Sequence, residues 1–252
     1  MSHTYWFTQV LNWILGPAVL WLAGLAGLRL DPHKPIPDYI AHILLVVMIL
    51  LVFSFWLRRK LSVERPSGFQ HLVEMLLLGI RGLIDSIIGP HGRKFIPFHI
   101  SLGLFIFLAN AMGLIPGLES PTSNINVTAG CAIVVFLHYN WVGIREQGLL
   151  KYLKHFCGPV IFIAPLMVAV EILSHLARPF SLSVRLFANI YGEDMIILVF
   201  TGLLPFLLPL PILALSIFTS LIQAFVFVIL SIVYISGAVE HSEEHGQPAH
   251  AH

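Results

Sequence analysis

The chain has 252 residues, of which 57% are hydrophobic and only 11% charged, with a mean hydropathy of +0.87. Soluble domains carry about 25% charged residues, so a soluble globular class is excluded and a polytopic membrane protein is expected. A formal net charge of +1 gives no electrostatic footprint for nucleic acid.

The N-terminal run "MSHTYWFTQVLNWILG" lacks a basic n-region and a small-residue cleavage site, so it reads as mature sequence and not as a signal peptide. Residues 5–28 are uncharged and contain Pro17, Trp6, Trp13 and Trp21. Tryptophan favours the membrane–water boundary, so a surface-lying helix is expected there. Residues 1–37 form this N-terminal interfacial segment, 38–240 a single membrane domain and 241–252 a polar tail.

Residues 39–57 are apolar enough to span, and Arg58, Arg59 and Lys60 stop the run. Residues 68–88 differ, because Phe69, Leu72, Val73, Leu76, Leu77, Ile80, Leu83, Ile84 and Ile87 share one helical face. His71, Glu74, Arg81 and Asp85 sit mostly off it. That pattern predicts an amphipathic, interfacial helix. Residues 98–116 and 128–144 read as further spans, separated by the loop "GLESPTSNINVT". Cys131 and Cys157 lie in apolar surroundings and suggest neither a disulfide framework nor a metal site.

Two long apolar regions close the chain, 159–204 and 210–237. Each exceeds the roughly 20 residues that a span needs, so long tilted or bent helices are expected, with Pro179 bending the first. The fold class is therefore an all-α membrane protein. It has about five transmembrane helices plus one or two interfacial ones, and ends in a long tilted two-helix hairpin. The final "EHSEEHGQPAHAH" reads as disordered. Segment 58–97 carries seven Lys/Arg and segment 145–154 three, while 117–127 and 205–211 carry none. The basic segments are expected on the cytoplasmic side.

The fifth span holds the chemistry. Glu171, His175, Arg178, Leu182, Arg185 and Asn189 recur at separations of 4, 3, 4, 3 and 4, which lays them along one stripe of a helix. An Arg at the bilayer centre costs roughly 2.5–3.5 kcal/mol on insertion scales. Such a stripe must face a partner or water, and Arg185 reads as functional. Two readings of Arg178 stand side by side: a member of this stripe, or a side chain near the helix end that reaches the interface. Glu171 and His175 read either as part of a path or as a local i, i+4 pair. The sixth span carries Ser216, Ser220, Gln223, Ser231 and Tyr234, and Gln223 reads equally as interhelical glue or as a functional amide. His138, Tyr139 and Asn140 are candidates for a cytoplasmic-side cavity, or for simple solvation of a helix end. No HExxH, P-loop or GxSxG occurs, so no metal or cofactor site is expected.

The stretch "SLSVRLFANIYGED" (181–194), followed by "LIQAFVFVILSIVYIS" (221–236), resembles subunit a of the rotary F-type ATP synthase. The resemblance runs from about residue 38 to 240 and includes "PTSNINVT". It implies a non-catalytic stator subunit that carries protons through two offset half-channels to and from the carboxylates of a c-subunit ring. It also implies a b-type peripheral stalk as partner and a bacterial inner membrane as location. Arg185 then matches the essential arginine facing the ring. Asn189 matches the asparagine one turn later, Glu171 an acid of the proton path, and Gln223 the glutamine near the arginine. Asp194 aligns with the inlet acid, and Glu193 is its neighbouring candidate. Seven residues before Gln223, where some relatives carry His or Glu, this chain has Ser216, a departure that leaves the outer path to Glu193, Asp194 and water. A stand-alone ion transporter and a structural membrane anchor are the alternatives; the missing internal repeat weighs against the first.

Overall fold

The structure is a computed structural model that describes residues 5–25, 31, 35–62, 67–115, 117–148, 164–203 and 209–243. Seven α-helices follow in order: α1 Trp6–Leu25, α2 Asp38–Lys60, α3 Gly68–Ile87, α4 Ile96–Met112, α5 Ile125–Gln147, α6 Ala164–Leu203 and α7 Pro209–Glu243. Short 3-10 segments occupy Pro90–Phe95 and Pro121–Ser123. Among the described residues there is no strand. Five helical segments are long and apolar enough to cross a membrane: Asp38–Lys60, Pro90–Met112, Ile125–Gln147, Leu166–Leu203 and Pro209–Val239. The protein is thus an all-α, multi-pass membrane protein, as its composition requires.

Local chemistry sets the helix ends. In α2, Asp38 sits in the first turn and Arg58, Arg59 and Lys60 in the last, matching the helix dipole at both ends. The basic groups fold back over aromatic rings, Arg59 at 4.2 Å from the Phe55 centroid and Lys60 at 4.7 Å from Trp56. The Ser67 hydroxyl caps α3 by accepting from the Gln70 N–H at 3.3 Å. Pro179 lies inside α6, which continues through it to Leu203. Helix α7 runs on to Glu243, three residues into the polar tail that composition alone assigned to disorder. Cys157, the connection at 149–163 and residues 244–252 lie outside the described residues.

The chain divides into two compact units. The first comprises Met1–Leu61, Leu104–Val127 and Phe187–Ile222, and the second Ser62–Gly103, Thr128–Leu186 and Gln223–His252. In the first, Val46, Ala109 and Met112 form a buried cluster with Leu45, Leu50, Phe105, Leu108 and Leu118 packed on it. The "PTSNINVT" loop is pinned there by buried polar bonds. The Ser120 hydroxyl donates to the Ala109 carbonyl at 3.0 Å and lies 2.7 Å from the Thr122 hydroxyl, which donates to Asn110 Oδ1 at 2.7 Å. Each of these groups would be costly to bury unpaired.

In the second unit, Ile80, Ile84, Val228 and Ile232 form one buried cluster, and Phe95, Tyr139, Val142, Ile235 and Ala238 another. Only the later half of the apolar α3 face packs there. Phe69, Leu72 and Leu76, nearer its start, are exposed. Gly103 of α4 meets α7 closely: a Cβ built on it would lie 2.9 Å from Val228 Cγ2.

Candidate functional site

In the second unit the first part of the α6 stripe is folded against α5 and α7. The Tyr139 hydroxyl lies 3.0 Å from His175 Nδ1, and His175 Nε2 lies 3.3 Å from a Glu171 carboxylate oxygen. Arg178 sits over two rings, 5.9 Å from the Tyr139 centroid and 5.5 Å from that of Tyr234. Cation–π geometry of this kind holds a guanidinium where water is scarce. Arg178 is half-buried, so it belongs to the stripe's buried section, not to a freely solvated helix end.

The stripe then changes character. Leu182 and Leu186 are buried, at 2% and 0% exposure, whereas Arg185 between them is exposed. Its neighbours Phe180 and Val184 are exposed apolar side chains. Among the described residues the Arg185 guanidinium has no hydrogen-bond or ion-pair partner. A fixed cation is thereby presented outward from the middle of an apolar helix.

Gln223 is buried in the same unit. His138 stacks on Phe98 with ring centroids 3.8 Å apart, and its Nδ1 is buried without a hydrogen-bond partner among the described residues. It does not join the Glu171–His175 group through any contact described here, whereas its neighbour Tyr139 does.

The first unit gathers the acids of the proposed inlet. The Thr219 hydroxyl donates to the Glu193 carboxylate and lies 3.1 Å from the Ser216 carbonyl. Asp194 lies beside the Ser123 hydroxyl and within electrostatic range of Glu119 and Glu193. Asn189 is exposed. The Ser216 hydroxyl is buried without a partner among the described residues. Glu193 and Asp194 are therefore brought into one polar cluster. Ser216 adjoins it through its backbone, and Thr219, one turn on, supplies the hydroxyl. Glu119 and Thr219 were not singled out from the sequence. Thr219 sits three residues after Ser216, on the same helical face, which is the signal that could have found it.

Chemically, each unit holds carboxylates bonded to hydroxyl or imidazole groups, with no cluster of three His, Cys, Asp or Glu among the described residues that could hold a metal ion. Such groups can pass protons. A sequence model of the family described as "ATP synthase A chain" matches residues 40–236. The chain is 39% identical over 240 residues to "ATP synthase subunit a 3" of Pelobacter propionicus, covering 95% of this chain and 99% of that one. It is 44% identical over 203 residues to "ATP synthase subunit a 1" of the same organism, covering 81% and 88%. With "ATP synthase subunit a" of Trichlorobacter lovleyi it shares 46% identity over 195 residues, covering 77% and 84%.

Proposed function

Because the chain belongs to the ATP synthase A chain family and is a membrane-sector subunit of that complex, we propose that it is the non-catalytic stator that carries protons past a ring of c subunits. Two offset aqueous half-channels serve the ring carboxylates, one from each side of a bacterial inner membrane. Glu171 and His175 serve the cytoplasmic one, and Glu193 and Asp194 serve the outer one. The c ring and a b-type stalk are its partners, and ATP chemistry belongs to other subunits.

The observation that carries this reading is Arg185, exposed on its own chain and unpaired among the described residues, in an apolar helix. A cation at that depth needs a counter-charge or water from outside the chain. A ring carboxylate arriving there finds its ionised form favoured, because a positive neighbour lowers a carboxyl pKa. It releases its proton to one half-channel and takes another from the other before it turns back into lipid, neutral. Arginine suits this station because it stays charged when desolvated. The same charge repels a proton that would cross directly between the half-channels without turning the ring. Each proton falling through 100 mV supplies about 2.3 kcal/mol, which this arrangement turns into rotation.

Arg185→Ala is expected to abolish ATP-driven proton pumping in membrane vesicles while the complex still assembles. Normal pumping by that variant sinks the reading. Gln223→Leu, which removes a buried amide of α7, is expected to lower coupling more mildly.

A further inference from the structure

Three histidines in the helices are held by definite partners, and their tautomers follow from them. His42 and His99 each place Nδ1 on the backbone carbonyl four residues earlier, Asp38 at 2.7 Å and Phe95 at 2.8 Å. A carbonyl only accepts, so Nδ1 carries the hydrogen in both. Nε2 then accepts, from the Glu119 N–H at 3.5 Å in His42 and from the Ser231 hydroxyl at 3.4 Å in His99. Both rings are fully buried and act as fixed pins.

His175 is set the other way round. Its Nε2 faces the Glu171 carboxylate at 3.3 Å, an acceptor when ionised, so Nε2 bears the hydrogen. Nδ1 is left with its lone pair toward Tyr139, whose hydroxyl must donate at 3.0 Å. Tyr139 is 1% exposed and its ring is locked in the cluster of Phe95, Val142, Ile235 and Ala238. The hydroxyl is therefore delivered from a fixed direction. Glu171 of α6 and Tyr139 of α5 contact this ring, and Arg178 of α6 and Tyr234 of α7 lie against Tyr139.

We propose that Tyr139 is a positioning residue of the inner proton path: by donating to Nδ1 it fixes the His175 tautomer that aims Nε2–H at Glu171. The ring then keeps an N–H on the carboxylate, which steadies the ionised acid as a proton acceptor, and it cannot turn its blank side to that acid. This rests on the half-channel reading above, and it turns Tyr139 from a candidate cavity-lining residue into one with a stated task.

The test uses the whole complex with histidine labelled by nitrogen-15, the His175 signals being identified by their loss in His175→Asn. In the unaltered protein His175 is expected to be protonated at Nε2, and in Tyr139→Phe both tautomers are expected. ATP-driven pumping per assembled complex should fall about fivefold in Tyr139→Phe, the worth of one hydrogen bond of ordinary strength. Tyr139→Phe added to His175→Asn should cost nothing more. A full additional loss in the double variant would make Tyr139 a packing residue and overturn the proposal. So would an Nδ1–H tautomer in the unaltered protein, a result that does not depend on whether any variant folds. Normal pumping by Arg185→Ala would remove the half-channel reading while leaving the tautomer result standing, so the two failures are separable.

Discussion

Replacing Gly103 by alanine tests the packing that positions α7. The added Cβ would lie 2.9 Å from Val228 Cγ2, while carbon atoms pack comfortably at about 3.5–4.0 Å. Something must move by roughly 0.6–1.1 Å. Val228 is β-branched and stiff about χ1, and its cluster partners Ile84 and Ile232 are fully buried, so neither rotation nor retreat is open to it. Overpacking of this kind costs about 1–3 kcal/mol, against a gain of about 1 kcal/mol from alanine's better helix propensity. The net loss is up to about 2 kcal/mol. Gly130, inside α5, has nothing within 4 Å of its added Cβ, so Gly130→Ala isolates the propensity gain. Thermal melting of the purified complex should place Gly103→Ala below the parent and Gly130→Ala at or above it. Equal shifts for both variants would show that the close approach of α4 to α7 carries no energetic weight.

Arg185→Ala should leave a fully assembled complex that pumps no protons, read by the quench of a pH-sensitive dye in inverted vesicles. Thr122→Val should lower the melting point by the equivalent of about 1–3 kcal/mol, since it strands the buried Asn110 oxygen to which Thr122 donates; Thr122→Ser should restore it. The acid limb of stability should depend on Asp85, whose carboxyl is held below its usual range chiefly by the side-chain hydrogen bonds from Arg93, at 2.9 Å each. A lowered folded value means that this pair stabilises at and above neutral pH, and that the contribution disappears as the pH falls below about 4. Asp85→Asn should therefore flatten melting temperature against pH at the acid end and nowhere else, by a small amount because the pair is solvent-exposed.

Arg185 was legible in the sequence because an ionisable residue among apolar neighbours stands out without any structure. The five spans were legible for the complementary reason: length and hydropathy are local properties. Tyr139 was legible only as one of three candidates for a cavity, beside His138 and Asn140, because its partner His175 lies 36 residues away. Of that trio His138 stacks on Phe98, while its neighbour Tyr139 makes the polar contact. The even stripe from Glu171 to Asn189 likewise hid a division that only packing reveals, with Arg178 caged by tyrosines and Arg185 facing out. The helix through Glu243 escaped because a polar tail carries no hydrophobic period, although an established helix can extend into it at little cost.

Helix α6 is held only lightly by its own chain, with 11% of its most apolar stretch buried. Side chains such as Phe180, Val184 and Leu198, all exposed, contribute little to folding and, on the proposed function, are free to answer to the ring. Grafting this outward set between two relatives should transfer mating compatibility with their respective rotors, while grafting the inward residues of α7 should transfer thermal tolerance instead.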